Sequence, residues 1–206
     1  MKHARLPEAV NALAELKAEA DWLETIKQGD QAFTSGEYAE AMKHYSEAVR
    51  FRNTPELAAK VQQCRYRMAE ARGDRFAAGQ QWDEAVRAYE EAKTLGEPGP
   101  IDAKLQQLSI DREYVEKMQE GDRLLAARQF SRALSAYRDA QKIKDTPEIR
   151  LKQAEVTYER YLAMGKEKMA VQDWRYAQQY LEIAQEAKPT EEVKKLIAEV
   201  RAKRGG

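Results

Sequence analysis

Few side chains in this sequence could act as nucleophiles, metal ligands or acid–base catalysts. The chain holds two histidines, His3 and His44, and a single cysteine, Cys64. A thiolate–imidazole pair or a metal centre needs such groups at recognisable spacings. Neither histidine has a Cys, Ser or Asp at one: His3 falls in a terminus expected to fray, His44 on the polar side of a short helix. One cysteine excludes an internal disulfide and a thiolate cluster, and its place in the chain's internal repeat suits a small, half-buried filler. There is no phosphate-binding glycine loop and no dinucleotide fingerprint. Carboxylates are abundant but interleaved with Lys and Arg, the pattern of solvated i,i+4 pairs on helices. The residues therefore predict no enzyme, no cofactor and no metal.

The charges also exclude partners. The 35 Lys and Arg are balanced by 35 Asp and Glu, so there is no general attraction to nucleic acid or to an anionic membrane. The basic run Lys194, Lys195, Arg201, Lys203 and Arg204 is interrupted by Glu191, Glu192 and Glu199 and reads as cations near a helix C-terminus. The first twenty residues scatter charge through their length, unlike a signal peptide or an anchor. A soluble, cytoplasmic protein is expected.

What positions the side chains is an internal repeat. Gly29, Gly73, Gly121 and Gly165, spaced by 44, 48 and 44 residues, each open the same pattern. An aromatic follows at plus nine (Tyr38, Trp82, Phe130, Trp174) and alanine at plus twelve (Ala41, Ala85, Ala133, Ala177). A large apolar residue stands at plus sixteen (Tyr45, Tyr89, Tyr137, Leu181) and alanine again at plus nineteen (Ala48, Ala92, Ala140, Ala184). A fixed period of this size marks stacked helical hairpins. A glycine inside a helix costs about 1 kcal/mol against alanine, so four at one phase imply that the following helix passes too close for a Cβ. The alanines let the two axes approach, and Ala133→Leu should overpack that crossing by about 1–3 kcal/mol.

Helix signals fit that reading. Thr54-Pro55-Glu56 and Thr146-Pro147-Glu148 each supply a cap, a fixed φ and an acid for the dipole; Pro7, Pro100 and Pro189 mark the other starts. Gly96-Glu97-Pro98-Gly99-Pro100 reads as a flexible joint between the second and third repeats. Apolar residues recur with period 3.6, as in Tyr38, Ala41, Met42, Tyr45, Ala48 and Val49, and no stretch alternates as a strand would.

Gly, Ala at plus twelve, an aromatic at plus sixteen and Ala at plus nineteen: the pattern, over about residues 22–189, resembles the tetratricopeptide repeat. It departs in length, since that family's repeat is about 34 residues. The surplus amounts to three or four whole turns, which lengthens the first helix of each hairpin without rotating its buried face. The extension repeats too. Leu13, Leu57, Leu105 and Ile149 stand sixteen before each glycine, and Trp22, Tyr66, Tyr114 and Tyr158 stand seven before, an aromatic row expected to pack between neighbouring long helices. The expected fold is an all-α, right-handed superhelical solenoid of four hairpins with elongated first helices. It forms a single domain with repeats about 7–52, 54–95, 100–144 and 146–187 and a capping helix over 189–204, carrying Val193, Leu196, Ile197 and Val200 on one face. The sequence stops about where a fifth repeat would place its glycine, as one piece of a longer protein would.

The resemblance implies a concave groove lined by the first helices that binds a protein or peptide segment. Carried over position by position, the groove consists of Leu23, Arg67, Val115 and Glu159; then Ile26, Glu70, Met118 and Leu162; then Asp30, Asp74, Asp122 and Lys166; then Phe33, Ala77, Leu125 and Met169. The aspartates form its one repeated charge. They could hold a basic or amide-rich segment beside Ile26, Met118, Leu125 and Met169, or pair with Arg or Lys of the adjacent repeat. Members of the family that grip a chaperone's C-terminal carboxylate do so with Lys and Asn, and an aspartate at the Asn position repels a carboxylate. The expected function is a non-catalytic interaction scaffold whose capture of a partner weakens when Asp30, Asp74 and Asp122 become Ala, with melting unchanged. The alternative is a self-assembling solenoid, a homo-oligomer stacked through its ends.

Overall fold

The computed structural model describes residues 5–205, with side chains from 9 to 204; His3 lies outside them. These residues form helices joined by tight turns and short extended links, with no strand among them. The helices are α1 (Arg5–Thr34), α2 (Tyr38–Phe51), α3 (Pro55–Ala78), α4 (Trp82–Leu95), α5 (Pro98–Ala126), α6 (Phe130–Ile143), α7 (Pro147–Ala170), α8 (Trp174–Ala187) and α9 (Glu191–Gly205). Long and short helices alternate through α8, as the repeat predicts.

The chain divides into two compact units after Leu108. The first holds the hairpins α1–α2 and α3–α4 and the beginning of α5. The second holds the rest of α5 with α6, the hairpin α7–α8, and α9.

One turn design closes all four hairpins. Seven residues after each repeat glycine the backbone enters the left-handed region, at Gly36 (φ 79°), Gln80 (57°), Arg128 (56°) and Gln172 (58°). That residue's N–H reaches the carbonyl three back, and the next N–H the carbonyl five back: Glu37 to Ala32 and Gln81 to Phe76 at 2.9 Å, Gln129 to Leu124 at 2.8 Å, Asp173 to Lys168 at 2.9 Å. This paired arrangement satisfies carbonyls that a helix end leaves without partners.

The sequence caps form. Thr54 and Thr146 accept from the backbone N–H of Leu57 and Ile149, each at 3.3 Å, and Thr190 does the same for Val193. The expected joint at Gly96–Pro100 is shorter than the sequence suggests, because α5 already begins at Pro98. Both prolines fall in the first turn, where an N–H has no intrahelical acceptor to lose. Gly96 is needed for a different reason: a Cβ there would come within 2.5 Å of the Tyr66 ring.

Each hairpin crossing is built on the alanines. Ala41, Ala85, Ala133 and Ala177 are wholly buried, as are Ala48, Ala92, Ala140 and Ala184. A Cβ on Gly29, Gly73 or Gly121 would meet the Tyr45, Tyr89 or Tyr137 ring at 2.5 Å, and one on Gly165 would meet Leu181 at 2.7 Å. The sequence places the obstruction in the following helix; it is that helix's plus-sixteen side chain, lying over the glycine.

A second set of contacts joins each long helix to the short helix before it. Twenty-eight and thirty-five residues after the four glycines stand Leu57 and Cys64, Ile101 and Leu108, Ile149 and Val156, and Val193 and Val200, all buried. The row counted back from the following glycine therefore holds for Leu57 and Ile149 but not for α5, where Ile101 is buried and Leu105 only half-buried. In α3 and α7 the residue ten before the glycine (Gln63, Glu155) directly precedes Cys64 or Val156; in α5 Leu108 comes first and Asp111 follows. The four extra residues of the third repeat thus lie around 109–110, close to one turn of helix.

Candidate interaction surface of the long helices

The aspartates that follow the glycines do not stand alone. Asp30 accepts the Tyr45 hydroxyl at 2.5 Å and the Lys60 ammonium. Asp74 accepts Tyr89 at 2.8 Å and Lys104 at 2.6 and 2.8 Å, and Asp122 accepts Tyr137 at 2.6 Å and Lys152 at 2.5 Å. Each carboxylate therefore ties three helices: its own long helix, the short helix that crosses it, and the next long helix. The same lysines lie over two of the rings, Lys60 5.3 Å from the Tyr45 centroid and Lys104 5.9 Å from that of Tyr89, within cation–π range.

The electrostatics follow from this geometry. Burial raises the Asp30 and Asp122 carboxyls, but the hydrogen bonds from lysine and tyrosine and the lysine charge outweigh it and hold both below the usual aspartate value. Burial, then donation to the carboxylate, pushes Tyr45, Tyr89 and Tyr137 well above an ordinary phenol. Burial acts to lower Lys104, and its bonds to Asp74 and Glu70 overcome that and raise it.

The fourth hairpin carries none of the three partners. Lys166, Leu181 and Leu196 stand where Asp, Tyr and Lys stand before. Lys166 instead reaches Glu192 of α9 at 2.6 Å, an ion pair of reversed sense.

The other carried-over positions separate into two kinds. Met118 and Leu162 are buried in the hairpin cores and present nothing to a partner; they lie one turn before the glycine, on the face that closes the hairpin. Leu23 is 53 % exposed. Ile26, Phe33, Leu125 and Met169 are half-buried at the edges of their cores. Arg67 donates to Glu70 at 2.8 Å on its own helix, and Glu70 also meets Lys104 at 3.1 Å.

The aromatic row seven before each glycine is structural, and its neighbours are the ends of the short helices more than the long helices. Arg52, Lys144 and Lys188, which end the short helices, lie 4.6, 5.6 and 5.4 Å over Trp22, Tyr114 and Tyr158. Tyr114 and Tyr158 also meet the capping hydroxyls of Thr146 and Thr190 at 3.1 Å. In the second repeat Gly96 takes the cation's place, and Tyr66 is buried against it.

Of the two expectations for the aspartates, pairing with a cation of the adjacent repeat is what the structure shows; the sequence reading did not single out the lysines at plus thirty-one that do it. Their signal was present: Asp at plus one, Tyr at plus sixteen and Lys at plus thirty-one occur together in three repeats and vanish together in the fourth. Of the reactive candidates, Cys64 is fully buried with its thiol pushed up by burial, which disfavours the thiolate, and His44 lies 3.6 Å from Glu40 on α2. Among the described residues no group of three His, Cys, Asp or Glu could hold a metal, and no helix is long and apolar enough to cross a membrane.

No family model matches this chain, and no curated protein does. Among solved structures, the TPR2AB-domain:pHSP90 complex of yeast Sti1 is similar over 89 % of this chain and 99 % of that one, at 13 % identity and a TM-score of 0.28. A likeness that loose carries no argument about a partner. The side chains along the long helices are the better ground for a functional reading.

Proposed function

We propose that the chain is a non-catalytic interaction scaffold that binds a segment of another protein along its long helices. The observation behind this reading is the recurrence, at equivalent positions of successive long helices, of side chains that the hairpin cores leave accessible. Leu23, Arg67, Val115 and Glu159 occupy one such position; Phe33, Leu125 and Met169 occupy another. The aspartates stay in the proposal with an altered role. A carboxylate offers about four acceptor positions, and the tyrosine and lysine bonds leave capacity for an N–H of a bound segment. Because they also hold three helices together, Asp→Ala at all three sites lowers melting as well as capture and cannot serve as the test.

A photo-crosslinking residue at 23, 67, 115 or 159 serves better. The scaffold reading expects the same adduct from several of these sites and none from 43, 87 or 138, on exposed faces of the short helices. Equal adducts from both sets would remove the long-helix surface as the binding site. Self-assembly, the second reading, draws on the exposed apolar side chains of α1 and is read by light scattering across a hundredfold dilution: a stable oligomer would put it first.

A further inference from the structure

Every long helix after α1, and α9 as well, carries a face that is covered by the short helix before it. On α3 this face is Leu57, Lys60 and Cys64, which pack on α2; on α9 it is Val193, Leu196 and Val200, which pack on α8. The spacing is the same on α5 (Ile101, Lys104, Leu108) and α7 (Ile149, Lys152, Val156). Helix α1 has the same three positions, filled by Leu13, Leu16 and Ala20, and there they face solvent. Leu13 is 69 % and Leu16 67 % exposed, where Leu57 is 2 % and Ile149 and Val193 are 0 %. Val10, one turn earlier, is 60 % exposed and extends the same stripe. Aliphatic side chains aligned over three turns, matching in register a face that is buried four times elsewhere in the chain, are a contact surface without its contact.

The middle residue says which contact. Lysine at this position belongs to a crossing with an aspartate and a tyrosine to receive it. Leucine occupies this middle position once among the covered faces, at Leu196, where the short helix presents Leu181 and no tyrosine. Leu16 therefore matches the aliphatic kind of crossing; against an Asp–Tyr pair it would supply no cation and leave the carboxylate with the tyrosine hydroxyl alone.

We propose that the Leu13–Leu16–Ala20 face of α1 is a docking site for an amphipathic helix of the α8 type: alanines at the crossing, one leucine between them, and no aspartate–tyrosine pair. This is independent of binding along the long-helix rows.

The probe is the chain's own α8, a synthetic peptide of residues 173–188. An isolated helix this short is marginal in water, so it is stapled between positions 175 and 179, which are exposed in the fold. Titrating the full chain into the labelled peptide should give a saturable rise in fluorescence anisotropy. Leu13→Asp with Leu16→Asp should weaken it at least tenfold while circular dichroism and melting stay unchanged, since both side chains are exposed; Leu16→Gln supplies a milder variant should the charges disturb α1. Leu16→Lys alone should also weaken it, by placing an ammonium against leucine. Absence of binding overturns the proposal. So does binding that ignores these substitutions, because the peptide is then exchanging with α8 in its own place. If the chain alone self-associates and the same substitutions abolish that, the occupant is a second copy and the proposed partner is wrong.

Discussion

The first three hairpin crossings and the fourth share a backbone and differ in what spans it. At Gly29, Gly73 and Gly121 a tyrosine ring lies over the glycine, and its hydroxyl is held by the aspartate one residue on, which in turn holds a lysine of the next long helix. At Gly165 a leucine covers the glycine, the neighbouring residue is Lys166, and the next long element offers Leu196. The alanines and the turn are common to all four. Helix approach is thus set by small residues and close-packed volume, while the polar clamp is an addition that occurs whole or not at all. A tyrosine hydroxyl near a buried crossing needs an acceptor, a half-buried carboxylate needs a donor, and each partial set leaves a group whose lost hydration nothing offsets.

The largest effect expected from this contrast is at the glycines. In Gly121→Ala the new methyl meets a ring that its hydroxyl tethers to Asp122, so overpacking of about 2–3 kcal/mol outweighs the gain in helix propensity of about 1 kcal/mol. In Gly165→Ala it meets the buried Leu181 side chain, smaller than a ring and tethered by no hydroxyl, and the net loss should stay below about 1 kcal/mol. Urea unfolding of the two variants checks this; equal losses would mean that the tether does not stiffen the ring.

Next is removal of the carboxylate. Asp122→Ala leaves the Tyr137 hydroxyl and Lys152 without their acceptor, and should cost about 1–2 kcal/mol, because water reaches about half of the aspartate side chain and replaces part of the bond. Lys166→Ala removes an exposed pair with Glu192, where a loss under about 1 kcal/mol is expected. Replacing Lys166, Leu181 and Leu196 together by Asp, Tyr and Lys should restore more stability than the three single changes sum to. Strict additivity would break the claim that the clamp acts as a unit.

How far the sequence reaches is visible in these same residues. The glycines, alanines and plus-sixteen residues announce the crossing because a short period makes them coincide four times, and the threonine–proline caps are local signals that needed no partner. Lys60, Lys104 and Lys152 were harder, since each acts two helices away from its aspartate. The row of Leu13, Leu57, Leu105 and Ile149 does not by itself tell burial: on α5 Ile101 is the buried residue, because burial there is set by the preceding short helix and the inserted turn intervenes. The burial of Met118 and Leu162 follows from a hairpin interface wider than one row of side chains, which spacing alone does not reveal.

The pH response sharpens the comparison in both directions. Asp30 and Asp122 are held below the ordinary aspartate value, so their contribution is complete above about pH 4 and is lost as pH falls through the depressed folded values. Tyr45, Tyr89 and Tyr137 are raised, so theirs is complete below about pH 10 and is lost as pH climbs toward the raised folded values. Following phenolate absorbance through an alkaline titration, three tyrosines should ionise late and together with the loss of helix. Tyr137→Phe should remove one late proton; an unchanged number of late protons would mean that the raised Tyr137 is not among them.

The smallest effect concerns what all four crossings share. The turn places one residue in the left-handed region, and in the first hairpin it is Gly36, while Gln80, Arg128 and Gln172 hold the same conformation with a side chain. A residue with a Cβ is disfavoured there by about 1–2 kcal/mol, and glycine returns somewhat less than that because it loses more freedom on folding. Arg128→Gly should therefore stabilise the chain by about 0.5–1 kcal/mol, and Gly36→Arg should destabilise it by a similar amount. Neither position closes a clamp, and a Cβ on Gly36 would touch nothing within 4 Å, so the effect there is backbone strain alone. Paired chemical denaturation of the two variants reads it directly. If Arg128→Gly instead destabilises, the arginine makes an interaction in the turn that outweighs its strain, and the third hairpin would then differ from the first in its turn as well as in its neighbours.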